Sequence, residues 1–489
     1  MTPGTTYKLT LHNSADDSTL KTNIHTHGLH ITGSGDGDDI TRFVTGGSCL
    51  DYTWDIPSDH PGGTNWYHPH YHTLTNGQTA GGAFGMIIID DDYSKVHAWA
   101  HPQNELLLLV SDIGNSVLGN GITNEVFQVE VGRWYRLRVS TVEPNANTAA
   151  LSFNGGDCTV HKVASDGIWH NAALTTYSGS SFDMTGASRA DYAISCASVG
   201  STTVKWGSGE VATIEAGTFG SNTGSEETDL GNAPPKPASL TGLNDASVDG
   251  TFSITMSGAK INRKMWDEDV PLGVVPYGGI YEWTIGGTGA HPYHQHLYHM
   301  LIVEPGGCGF HQEGEFYDTL SASGSCRVRF YAIDIGQRMV LNFHGLGHEE
   351  NGAMAWMIVT DTPSANQNNI DSSAYQCSEG SAPATTHIIQ RRLQNTCSSC
   401  NGLGNNECKA CSNCVRFQGT CYAQTSCSSC DGLDPFNCAI CAECVKGQSN
   451  TCFDVTQEPS SFPSTSIQPS AIPSYHPSRE PSTEPSPTK

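Results

Sequence analysis

Three short segments, far apart in the chain, carry histidines at alternate positions: His25-Thr26-His27, His68-Pro69-His70-Tyr71-His72 and His294-Gln295-His296. On an extended strand residues i and i+2 share a face, so each segment can turn two imidazoles toward one point. With 21 histidines in 489 residues, chance predicts roughly one such pair. The chain has four, counting the overlap at His70. Paired imidazoles from three separate strands read as one shared polynuclear metal site. His291 is out of phase with His294 and His296 and is expected to face a second site.

Around these segments the pattern is that of short strands. Tyr7 to His12 alternates apolar and polar residues, and Tyr52 to Ile56, Asn65 to His68 and Gly85 to Asp90 are punctuated by Gly and Pro, as in a small antiparallel sandwich. This first domain (1–98) is expected to be incomplete at its N-terminus. A second domain (99–223) has strands at Leu106 to Val110, Phe127 to Val131, Tyr135 to Val139 and Tyr192 to Ser195, without a histidine pair, and is assigned a structural role. A polar, proline-containing linker (224–249) leads to a third domain (250–376), with strands at Thr251 to Met256 and Ile280 to Ile285. It carries the His291 to His296 segment and closes over Met339 to Val359. Cys158 with Cys196, and Cys308 with Cys326, are candidate cross-links within their domains. From 377 to 455 Cys397-Ser-Ser-Cys400, Cys408, Cys411 and Cys414 recur as Cys427-Ser-Ser-Cys430, Cys438, Cys441 and Cys444, a two-copy repeat closed by Cys421 and Cys452. Residues 456–489 form a Pro/Ser/Thr tail too poor in apolar residues to fold alone.

Composition narrows the partners. Only 15% of residues are charged while Gly numbers 53, a loop-rich, all-β profile against a usual charged share of about 25%. A net charge of −25 argues against nucleic acid or an anionic membrane and suits a protein that attracts cations. No apolar run approaches the ~20 residues of a membrane helix. Twelve of the 18 cysteines lie between Cys397 and Cys452, which points to disulfides in an oxidising compartment rather than to zinc. The chain is therefore read as secreted or extracellular, with a cell-wall or matrix association as one role for the cysteine modules. Met1 to Gly4 opens no signal peptide, so the start is taken as internal to a longer secreted precursor or as a misassigned first exon.

As a set, the motifs resemble the multicopper oxidases, the laccase-like family of three cupredoxin domains. They are the His-x-His-Gly of His25 to Gly28, the Gly-Thr-x-Trp-Tyr-His-x-His of Gly63 to His70 and the His-Pro-x-His-x-His of His291 to His296. Weaker echoes are Asn120-Gly121, Tyr135-Arg136-Leu137-Arg138 and Asp166-Gly167. The resemblance implies three cupredoxin-like Greek-key β-sandwiches and a trinuclear copper cluster that reduces molecular oxygen with electrons from a phenol or a metal ion. His25 and His294 would hold the single copper, and His27, His68, His70 and His296, joined by His344, the coupled pair. His291 and His348 would belong to a separate blue-copper, or type 1, site.

The last family motif, His-Cys-His-x-x-x-His-x-x-x-Gly-Met, is broken here. With His344, His348 and Gly352 aligned, Asn342 and Phe343 stand at its first His and its Cys, and Ala353 at its Met. A blue-copper site needs a thiolate, which Phe343 cannot supply. The first reading is therefore an oxidase with an oxygen-reducing cluster and a degenerate type 1 site. The alternative is a non-catalytic copper-binding or structural wall protein, and a remoter one a zinc or mononuclear site in the old cluster. His72 and His299 read as packing groups. Glu349 and Glu350 read as a solvated pair, or as a proton relay if near the cluster.

Overall fold

A computed structural model describes residues 1–360 except 114–115, 146, 222, 288–291, 323, 334 and 336. Beyond them it describes four short strands, Cys414–Phe417, Thr420–Ala423, Cys444–Lys446 and Cys452–Asp454. His291, the proline-rich tail and most of the cysteine repeat lie outside the described residues.

The first domain is built from small sheets. Thr6–Asn13 pairs antiparallel along Ser48–Asp55, and a three-stranded sheet orders His25–His27, Gly63–His68 and Gly85–Ile89. The period-2 pattern read at Tyr7 is visible as alternating exposure along Thr6–Asn13. The inward positions meet Leu29, Ile31, Leu50, Tyr52, Trp54 and Ile89 in one core.

The second and third domains are both two-sheet sandwiches. The second packs a five-stranded on a six-stranded sheet, with Tyr135–Val142 buried along its whole length between Arg189–Cys196 and Glu105–Ile113. The third packs two five-stranded sheets around Ile285, Tyr293, Val328, Phe330 and Leu341. Chain order and sheet order differ throughout, and parallel pairs such as Gly250–Thr255 with Ile280–Gly286 mark the crossovers expected of cupredoxin-like Greek keys. Disulfides Cys158–Cys196 and Cys308–Cys326 are both present. The Met339 to Val359 stretch resolves into two antiparallel strands, Arg338–Phe343 and Met354–Thr360, joined by the short helix Leu346–Glu350.

Charged side chains lock the first two domains together. Arg136 bridges Asp91 and Asp191 at 2.5 Å each, Arg138 reaches the partly buried Glu105 at 2.5 Å, and Thr64 donates to Asp191 at 2.6 Å; all but Glu105 are buried. The motif Tyr135-Arg136-Leu137-Arg138 thus supplies paired buried cations, which are tolerated because each finds a carboxylate. The 224–249 segment is no loose tether: Leu230, Leu240 and Leu243 are buried in apolar clusters. No helix among the described residues is long and apolar enough to cross a membrane.

The two strand pairs of the cysteine repeat are treated by themselves. Cys414–Phe417 pairs with Thr420–Ala423, and Cys444–Lys446 with Cys452–Asp454, both antiparallel. Equivalent positions of the two copies therefore form equivalent hairpins.

Candidate metal centre

Strand pairing delivers the histidines. His25–His27 lies antiparallel to Gly63–His68, with His25 opposite His68 and His27 opposite Trp66. Pro69 lacks an N–H and ends that strand; His70 follows outside it, its N–H donated to Asn23 Oδ1 at 2.6 Å. In the third domain Tyr293–Gln295 pairs with Arg338–Phe343, placing His294 opposite Asn342. His344 sits one residue past that strand, its N–H bonded to the Pro292 carbonyl at 2.8 Å.

These segments converge. His25 stacks on His296 with ring centroids 3.8 Å apart, His27 stacks on His294 at 3.6 Å, and His344 lies 5.0 Å from His27 and 5.2 Å from His68. His70 is 5.1 Å from His296 and 5.5 Å from His68. All seven are at most 2% exposed. His25 Nε2 and His294 Nε2 face each other at 3.4 Å. Two imidazole nitrogens on one divalent ion, each about 2.0–2.1 Å from it, can be no more than about 4 Å apart, so this pair meets the requirement for a shared metal.

The pattern of paired and unpaired nitrogens is more informative than proximity. His25 Nδ1 bonds Asp38 at 2.8 Å, His27 Nε2 bonds the Thr319 hydroxyl at 3.0 Å, His68 Nδ1 donates to the Pro69 carbonyl at 2.8 Å and His294 Nδ1 to the Asp318 carbonyl at 3.0 Å. His296 Nδ1 lies 3.5 Å from Asp38 and His70 Nδ1 3.5 Å from Glu349. The opposite nitrogens, His27 Nδ1, His68 Nε2 and His296 Nε2, are buried without a hydrogen-bond partner, as are both of His70 and both of His344. An unpaired buried polar atom costs about 1–3 kcal/mol. One nitrogen oriented by the protein and the other left bare is the arrangement of imidazoles that hold a metal.

Electrostatics agree. Burial, reinforced by neighbouring imidazoles, holds His25, His27, His68, His70 and His294 well below the ordinary histidine range, and burial brings His344 down to about 3. Neutral imidazoles need shed no proton to bind a cation.

The second domain, assigned a structural role, reaches this centre through Arg189. Arg189 clasps Asp318 through both carboxylate oxygens at 2.6 and 2.5 Å, and also donates to the carbonyls of Asp166 and Thr64. Burial alone would raise the Asp318 carboxyl, but the Arg189 guanidinium holds it below the usual range. Asp318 in turn stands 3.3 Å from His27 and 3.3 Å from His299. Gly28 adopts φ +103°, and a Cβ there would come within 2.3 Å of both Arg189 and Asn65. The glycine of His-x-His-Gly therefore leaves room for a guanidinium from another domain.

Phe343 points away from the histidines. Alternation puts it on the face opposite Asn342 and His344, 3% exposed in the apolar core with Tyr293, Leu320 and Ala353. His348 is exposed on the short helix, its ring 6.1 Å from Phe343. His299 is a supporting group, bonded to His30 at 2.7 Å and to the Asp166 carbonyl at 2.6 Å. His72 packs 6.4 Å from Trp266.

Glu349 is not solvated. It is fully buried, accepts a hydrogen bond from Thr75 at 3.0 Å, and burial pushes its carboxyl well above the ordinary range. Glu350 accepts from the Asn76 N–H at 2.7 Å. Sequence reasoning missed Asp38, Asp318, Thr319 and Arg189; Asp166-Gly167, whose Asp166 carbonyl accepts from Arg189, was noted only as a weak family echo.

Comparison with known proteins places this geometry in context. Residues 1–94 and 232–363 match two multicopper oxidase domain families. Laccase-2 of Thanatephorus cucumeris is 26% identical over 209 residues, 34% of this chain and 33% of the relative. The multicopper oxidase mco of Staphylococcus aureus is 28% identical over 109 residues, 22% of this chain and 23% of the relative. The chain thus aligns with a third or less of these relatives' length. Among solved structures, a laccase from Pediococcus acidilactici Pa5930 superposes with a TM-score of 0.61 at 21% identity, covering 74% of this chain and 82% of that one. A Campylobacter jejuni multicopper oxidase described as a metallo-oxidase gives 0.60 at 19%, covering 73% and 84%.

Proposed function

Because this chain belongs to the multicopper oxidase family, we propose that its buried histidines hold three copper ions and that it is an oxygen-reducing copper protein with a degenerate type 1 site. His25 and His294 take one ion; His27, His68, His70, His296 and His344 take the coupled pair. The observation that carries this reading is the set of bare nitrogens on protein-oriented imidazoles. Bound copper would supply the electron transfer to dioxygen that ends in water. The chain itself fixes the ligand tautomers through Asp38, Thr319 and the Asp318 and Pro69 carbonyls. It also places the Glu349 carboxyl, which burial pushes above its ordinary range, between the Thr75 hydroxyl and His70 Nδ1.

Electron entry differs from the family pattern. Phe343 and Ala353 offer no donor atom and are packed in apolar core, which supports the loss of the type 1 copper and of its thiolate relay. Reducing substrates, a phenol or a low-valent metal ion, then deliver electrons slowly. The same packing favours a second reading, a copper-binding protein that does not turn over. The two disulfides support a secreted location.

Copper content, visible absorption and electron paramagnetic resonance of the dialysed protein test the site. Near three coppers without an intense blue band is the expected result, and a copper-free protein would refute it. Oxygen uptake with phenols, ferrous or cuprous ions then separates the readings: sustained uptake supports the oxidase, and copper retention without uptake supports the non-catalytic protein.

A further inference from the structure

We propose that Asn342 is itself a metal ligand, its side-chain oxygen standing where an imidazole is absent, so that the coupled pair joins one all-imidazole position to one mixed nitrogen–oxygen position. This rests on the copper-binding reading above. Asn342 is fully buried. Its Nδ2 donates to the Phe343 carbonyl at 3.2 Å. A carbonyl only accepts, so the amide orientation is set and Oδ1 is the opposite end. That oxygen has no partner.

Its placement is equally specific. Asn342 stands directly opposite His294 in an antiparallel pair, which puts the two Cβ atoms roughly 5 Å apart on one face of the sheet. His344, two residues on, shares that face.

Ring distances show which position lacks a ligand. His27, His68 and His344 form a trio with separations of 5.0, 5.2 and 6.1 Å. His25 is committed to His294 through the 3.4 Å nitrogen contact. His70 and His296, 5.1 Å apart, remain as two imidazoles without a third. The Asn342 oxygen is the third donor assigned to that set under this proposal. An amide oxygen is a harder and weaker donor than imidazole and suits cuprous copper poorly. The His70/His296/Asn342 position therefore holds copper least firmly and empties first, most readily under reduction.

The test uses the full chain, copper-loaded and dialysed, as wild type, Asn342→Leu and Asn342→Asp. Leucine keeps the volume and removes the donor; aspartate keeps the oxygen and adds charge. Copper remaining is counted against a competing chelator, with paramagnetic resonance spin counts and a thermal transition as a folding control. In the wild type one copper should leave at a chelator concentration at least about tenfold below that for the others. Asn342→Leu should retain one ion fewer, and its partner in the pair, no longer coupled, should appear as an additional cupric signal. Asn342→Asp should hold the labile ion about tenfold more firmly. Unchanged copper number and affinity in Asn342→Leu would overturn the assignment while leaving the copper site standing. If that variant does not fold, unchanged affinity in Asn342→Asp overturns it alone. A wild type that binds no copper removes the underlying reading and this inference together.

Discussion

Asn342, Phe343 and His344 are consecutive, yet they lie in two chemically opposite regions. Asn342 and His344 lie on the side of a centre where His68 and His27 are each oriented through one ring nitrogen and bare on the other, and where His70 and His344 have neither nitrogen hydrogen-bonded. Phe343 faces the other way, into apolar packing with Tyr293 and Ala353. Strand alternation separates the two environments completely, so donors can be lost from one face without disturbing the other. Apolar packing around Phe343 and a cluster of unpaired imidazole nitrogens thus stand one residue apart.

Four measurements would break or sharpen that contrast. Arg189→Met strips the cation from Asp318 and Asp166 and should cost about 3–5 kcal/mol in folding stability, with a fall in copper content because Asp318 lies against His27. Denaturant titration with metal analysis reads both, and native stability with full copper would show that the second domain does not brace the centre. Phe343→Ala opens a cavity on the apolar face and should cost about 3 kcal/mol, with copper content unchanged; loss of copper there would mean that the two faces are coupled. Asp38→Asn should leave folding nearly intact and weaken copper retention about 10–100-fold, since the carboxylate at 2.8 Å orients His25; equal retention in a chelator competition would remove Asp38 from the site. Arg327→Ala, which cuts a surface pair with Glu304 at 3.0 Å, should change stability by at most about 1 kcal/mol. A larger shift in its thermal transition would show that exposed charges matter more to this sandwich than its core.

The histidines were legible because two rules coincide: imidazoles are scarce, and a period of two puts them on one face. Tyr7, Tyr135 and Ile280 marked strands for the same reason of alternation or β-rich runs. What stayed hidden were the partners of the ligands. Asp318 lies 291 residues from His27, and Arg189 lies 129 from Asp318, and no local pattern links an aspartate to an imidazole at that separation. Glu349 looked solvated beside Glu350, because adjacent charges usually are; only the packing of its helix against Thr75 buries it. The 224–249 segment read as a linker from its prolines and small polar residues, and the burial of Leu230, Leu240 and Leu243 comes from contacts remote in sequence.

The separation of the ligands along the chain also sets an order of events during synthesis. His25 and His294, which face each other at 3.4 Å, are 269 residues apart, and His344 is made later still. A ribosome must therefore have released most of the third sandwich before the cage exists. Under the copper-binding reading the full set of ions can be held only after that release, although His25, His27 and His68 of the first domain already form a group within reach of one ion.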